Sequence, residues 1–99
     1  MMDERMRILL EYEGKRFRLF RKELGKTQEQ MAKELQVPQS RISVIERGKG
    51  QITESQLKYL YDEYGLDGRW LRKGYGTMFE TEYRLKCNTA STITESIGV

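Results

Sequence analysis

Residues 27–49 read TQEQMAKELQVPQSRISVIERGK, and the order of signals in that stretch decides the fold. Thr27 followed by Gln30 is a capping box, able to satisfy orphan amides at a helix start. Met31, Ala32 and Leu35 then recur at helical spacing. The break falls at Gln36-Val37-Pro38, because the residue before a proline is pushed out of the helical region. A second short helix follows with Ile42 and Ile45 as its buried stripe, and Arg47-Gly48 ends it, glycine being the usual residue just past a helix.

Two short helices separated by a tight turn must cross steeply, and Ala32 is the small residue available at the crossing. This is a helix-turn-helix, whose second helix can enter a DNA major groove. The segment from Gly14 to Phe79 resembles the helix-turn-helix family of phage repressors and Cro proteins, also called the Xre family. The resemblance rests on Gly14-Lys15-Arg16, Arg21, Thr27-Gln28, Ala32, Val37, Ile42, Ile45-Glu46-Arg47-Gly48-Lys49, Trp70-Leu71 and Gly74. It implies an all-α bundle of about five helices around the motif, lambda-repressor-like, and a buried ion pair between Arg21 and Glu46. It also implies a phosphate clamp at Thr27 and Gln28. The turn departs from the family habit: Gln36 stands where a left-handed glycine is usual, and Pro38 where a serine or threonine would cap the recognition helix.

Composition agrees with a small DNA reader. Ninety-nine residues suffice for one domain. A 37% hydrophobic and 33% charged balance is ordinary for a soluble chain. The opening residues carry no signal-peptide pattern and no apolar run is long enough to span a membrane, so a cytoplasmic protein is expected. With no histidine and only Cys87, the chain has neither a zinc-site ligand set nor a His-dependent catalytic pair. No Gly-rich phosphate loop is present either, so neither an enzyme nor a cofactor is expected. The net charge of +3 is unevenly spread. Residues 1–13 carry −2, residues 14–50 carry +6, residues 51–79 balance and residues 80–99 carry −1. The positive segment therefore coincides with the motif, as phosphate attraction requires.

Three segments are expected: an N-terminal helical extension (1–13), the DNA-binding domain (14–79), and a C-terminal tail or dimerisation arm (80–99). In the first, Met6, Leu9 and Leu10 share a side, and Gly14 is expected to interrupt the helix. Residues 15–24 turn Phe17, Phe20 and Leu24 inward and Lys15, Arg18 and Lys22 outward, with Gly25 as the stop. Thr53 and Gln56 form a second capping box, for a helix of Glu54 to Tyr64 whose stripe is Leu57, Leu60, Tyr61 and Tyr64. A short helix anchored by Trp70 follows. Tyr83, Leu85 and Cys87 alternate with polar residues, a strand pattern, before a Ser/Thr-rich end.

The functional expectation is a sequence-specific transcriptional regulator binding double-stranded DNA, a homodimeric repressor of phage, mobile-element or antitoxin type. Gln39, Ser40, Arg41, Ser43 and Val44 are the base-contacting candidates: glutamine can pair with adenine, arginine with guanine, and valine can pack on a thymine methyl. Thr27, Gln28, Arg47 and Lys49 are the phosphate-contacting candidates. The competing expectation is an antitoxin-like interaction protein, with a protein partner held by the two terminal segments.

Overall fold

The computed structural model describes residues 3–80; the alternating segment from Tyr83 to Cys87 and the chain end lie outside the described residues. Five helices follow one another: α1 (Glu4–Glu23), α2 (Gln28–Leu35), α3 (Gln39–Glu46), α4 (Glu54–Tyr64) and α5 (Gly68–Lys73). The fold is all-α. Its single β feature among the described residues is an isolated antiparallel bridge, Leu66 with Phe79, which ties the chain after α5 to the α4–α5 loop.

The helix ends follow local chemistry. Thr27 and Thr53 each form a complete capping box, with Gln30 and Gln56 respectively. Asp3 and Asp67 cap α1 and α5 through their carboxylates. Gly25, Gly65 and Gly74 take positive φ just past α1, α4 and α5, where a side chain would be strained. The turn between α2 and α3 needs the same left-handed conformation, but Gln36 supplies it, at φ 59° and ψ 45°. Pro38 precedes α3 without a side-chain cap.

One expectation is corrected. Gly14 does not break the first helix: α1 runs unbroken from Glu4 to Glu23. Glycine costs a helix interior about 1 kcal/mol, too little to stop a helix that is capped by Asp3 and buries Leu10, Phe17 and Phe20 on either side of it. Its use is close approach, since a Cβ on Gly14 would lie 2.5 Å from the Ile45 carbonyl oxygen and 2.8 Å from that of Glu46. The end of α3 is thus laid directly on the α1 backbone.

The core gathers one or two side chains from every element: Phe17 and Phe20, Met31 and Ala32, Ile42 and Ile45, Ile52 from the loop, Leu60, Leu66 and Leu71. Phe20 stands edge-on to Tyr64 at 6.1 Å and tilts against Phe79 at 6.0 Å, joining α1 to α4 and to the closing segment. In α5 Leu71 is fully buried, while Trp70 packs only partly against the core. Along α4, Leu60 is buried and Leu57 and Tyr64 flank it; Tyr59 packs beside them, while Tyr61 is half-buried outside the cluster. The first turns of α1 differ most from expectation. Leu10 is buried, but Met6 and Leu9 are about half exposed, at 48% and 51%.

Candidate nucleic-acid interface

The orientation of α3 is set by an ion-pair network at its C-terminal end. Arg21 of α1 donates from Nε to Glu46 Oε2 at 2.6 Å and from Nη2 to Glu46 Oε1 at 3.1 Å, a bidentate fork. The remaining direction of the guanidinium is taken by the Lys26 carbonyl oxygen, at 2.7 Å. Gln28, in the first turn of α2, donates from Nε2 to Glu46 Oε1 at 3.1 Å. Both charged side chains are nearly out of water, 10% exposed for Arg21 and 4% for Glu46. Charge-assisted forked bonds of this kind fix geometry as well as adding energy. Glu46 therefore holds α1, α2 and α3 in one mutual arrangement.

From that anchor α3 points its opposite end outward. Ile42 and Ile45 are fully buried, Gln39 and Ser40 are exposed, and Arg41, Ser43 and Val44 are half-buried. These five are brought together on one short helix, with Gln39 and Ser40 leading. Arg41 is partly engaged within the chain: Nη2 donates to the Gln51 carbonyl at 3.3 Å. Its guanidinium and Val44 also close over Gly50, where a Cβ would come within 2.9 Å of Arg41 Nη1 and 3.0 Å of Val44 Cγ1. Arg41 thus also positions the loop after α3, a role its sequence neighbourhood did not announce.

The phosphate candidates are placed unequally. Thr27 caps α2, its hydroxyl oxygen accepting from the Gln30 amide at 3.1 Å, and remains exposed. Gln28 is tethered to Glu46, so one of its amide hydrogens is engaged and its position is fixed. Arg47 donates from Nε to the Ser43 carbonyl at 3.3 Å, and its remaining donors face out at the end of α3. Lys49 is exposed. The basic excess of residues 14–50 divides in the fold. Arg21 and Lys26 are held in ion pairs with Glu46 and Glu34. Lys15, Arg18 and Lys22 are exposed along α1, off the stripe that carries Phe17 and Phe20.

A second polar cluster braces the motif from behind. Glu34 of α2 accepts from Tyr59 at 3.0 Å, from Tyr64, and from Lys26 at 2.7 Å. Burial alone would push the Glu34 carboxyl up, but the donors Lys26, Tyr64 and Tyr59 outweigh it and hold it below the usual carboxylate value. The same bonds act on the donors. Burial and the Glu34 bond push the Tyr59 hydroxyl up to about 12. Tyr64 is raised for the same two reasons, and Lys26 is raised chiefly by its bond to Glu34. Sequence spacing paired Tyr64 with the core but gave no signal for Tyr59, since partners on α2 and α4 meet only in the folded chain.

A family model described as the helix-turn-helix domain matches residues 14–77, about two thirds of the chain. The chain belongs to the helix-turn-helix domain family. Neither curated proteins nor solved structures give a match. This helix-turn-helix protein accordingly carries a DNA-binding fold, with α2 and α3 as its two motif helices and α1, α4 and α5 as the support around them. The match begins at Gly14, where α1 comes to rest on α3, so the first turns of α1 precede it. No helix among the described residues is long and apolar enough to cross a membrane.

Proposed function

We propose that this protein is a sequence-specific transcriptional repressor of the phage-repressor and Cro (Xre) type, acting as a homodimer on double-stranded DNA. The observation that carries the reading is the Arg21–Glu46–Gln28 network, which locks α3 at one end and leaves Gln39 and Ser40 exposed at the other. A helix so held can enter a major groove with its N-terminal residues on base edges. In this reading Gln39, Ser40, Arg41, Ser43 and Val44 read bases, while Thr27, Gln28, Arg47 and Lys49 position the phosphates. One motif offers a small interface, so two copies on a palindrome supply both affinity and specificity. Repression follows by occlusion of polymerase at the bound site. Residues 14–79 form the DNA-binding unit of this scheme.

Selection of bound duplexes from a random pool at near-physiological salt tests it. The expected result is an enriched palindrome whose half-sites are spaced by about one helical turn or a multiple of it. Gln39→Ala combined with Val44→Ala should then erase preference for that palindrome over random DNA while leaving weak, salt-sensitive binding. Equal loss on both DNAs would show that these positions touch backbone instead of bases. A second reading, a protein partner held by the terminal segments, is favoured by one observation: Met6, Ile8, Leu9 and Tyr12 are all exposed near the start of α1.

A further inference from the structure

The outer face of α1 carries an apolar seam that the fold leaves uncovered. Ile8, Leu9, Tyr12 and Leu19 are 43%, 51%, 55% and 56% exposed. At about 100° per residue they fall within one side of the helix, away from Gly14 and Phe17, with Leu9 at the margin beside Phe20. Several exposed large apolar residues along one side of a helix, bordered by charges, suit an interaction site. The charges along one edge of the seam say what covers it. Reading along that edge, Glu4 and Glu11 come first, then Lys15, Arg18 and Lys22, all exposed.

We infer that α1 pairs antiparallel with α1 of a second copy of this chain, its twofold axis crossing the exposed seam at the level of Gly14 along the helix. Reversing one helix brings the same edge of each copy face to face. Glu4 then meets Lys22, and Glu11 meets Lys15 and Arg18, twice over by symmetry. Leu9 meets Leu19 in the seam, and Arg5 meets Glu23 at its ends. A parallel pair would instead put this edge of the two copies on opposite sides of the contact, so that its acidic and basic residues would not meet. An isologous contact requires this self-complementarity, because each patch must fit its own copy. A uniformly acidic or basic partner would match only half of the edge. The seam also adjoins a cleft of about 430 Å³ between α1 and α5, lined by Met6, Leu9, Leu10 and Tyr75, at whose rim the incoming Leu19 arrives.

This assignment rests on the dimeric reading above and supplies its interface. Sedimentation equilibrium on the full chain, across a micromolar concentration series, tests it. The expected result is a monomer–dimer equilibrium that Leu9→Lys with Leu19→Lys reduces to monomer, helix content by circular dichroism being unchanged since both positions are exposed. Glu11→Lys alone should weaken the dimer by about tenfold or more, because it sets like charges together. Adding Lys15→Glu and Arg18→Glu should bring most of that affinity back, a rescue that general surface damage would not give. A monomeric wild-type chain, a dimer that survives the two lysine substitutions, or an absent rescue would each overturn the assignment. The two readings fail separately. An enriched palindrome bound by a dimer indifferent to Leu9 and Leu19 removes only the α1 seam. A seam-dependent dimer with no preferred sequence removes only the sequence-specific repressor.

Discussion

At the scale of single residues, several side chains carry consequences that can be measured. Arg21 and Glu46 form a nearly dry pair, and removing one partner leaves the other charge buried and uncompensated. Arg21→Ala is therefore expected to destabilise the fold by about 3–5 kcal/mol, read by denaturant unfolding. Arg21→Lys should recover only part of this, because an ammonium lacks the two-pronged geometry. Gln36 is a left-handed residue with a Cβ. Gln36→Gly removes strain of about 1–2 kcal/mol but makes the unfolded chain more flexible, so a net gain of roughly 0.5–1 kcal/mol is expected in the same assay. Glu34 supplies a pH dependence. Its folded carboxyl titrates below its unfolded value of 4.5, so its contribution is present above that value and is lost as pH falls through the folded one. Glu34→Gln should flatten the acid limb of a stability–pH curve. At the alkaline limb the sign reverses: Tyr59, raised from 10.0 to about 12, contributes fully below pH 10 and loses that contribution as pH rises towards 12.

At the scale of elements, the two motif helices are too short to stand alone. Each has eight residues, below the length at which isolated helices persist in water. They exist because α1 supplies a long platform, and Gly14 is where that platform meets α3. Gly14→Ala improves helix propensity by about 1 kcal/mol, yet its Cβ would meet two backbone oxygens that cannot swing aside. With overpacking of this kind costing roughly 1–3 kcal/mol, a net loss of stability is expected. DNA affinity should fall further than stability predicts, because the end of α3 must shift. Calorimetry and a binding titration on the same variant separate the two effects. In this protein a glycine that reads locally as a helix stop is instead a contact point between helices.

At the scale of the whole molecule, charge is sorted by the fold more finely than by the sequence. The basic segment 14–50 divides into internal ion pairs, exposed positions along α1 and the few cations around α3. Phosphate attraction by this protein should therefore be modest. Substituting Lys49→Ala, whose side chain is exposed beside α3, is expected to lower affinity for all sequences alike. It should also reduce the slope of log K against log salt by about 1. Changing Lys22, an exposed residue of α1 outside the two motif helices, should leave that slope for a single motif unaltered. A slope that responds to both equally would mean that the basic surface acts as one diffuse patch.

Local signals were enough to place most of the fold. The capping boxes at Thr27 and Thr53, the stops at Gly25 and Gly65, and the Ile42 and Ile45 stripe are short-range chemistry, and each acts within a few residues of where it is written. The helix-turn-helix itself follows from them. Tertiary structure decided what depends on distant partners: that α1 passes through Gly14 unbroken, that Leu71 more than Trp70 seals α5, and that Tyr59 turns to Glu34. It also decided that Met6 and Leu9 remain exposed where Leu10 is covered. Helical periodicity states which residues share a face. Whether a face is buried depends on whether another element reaches it, and that is settled only when the whole chain has packed.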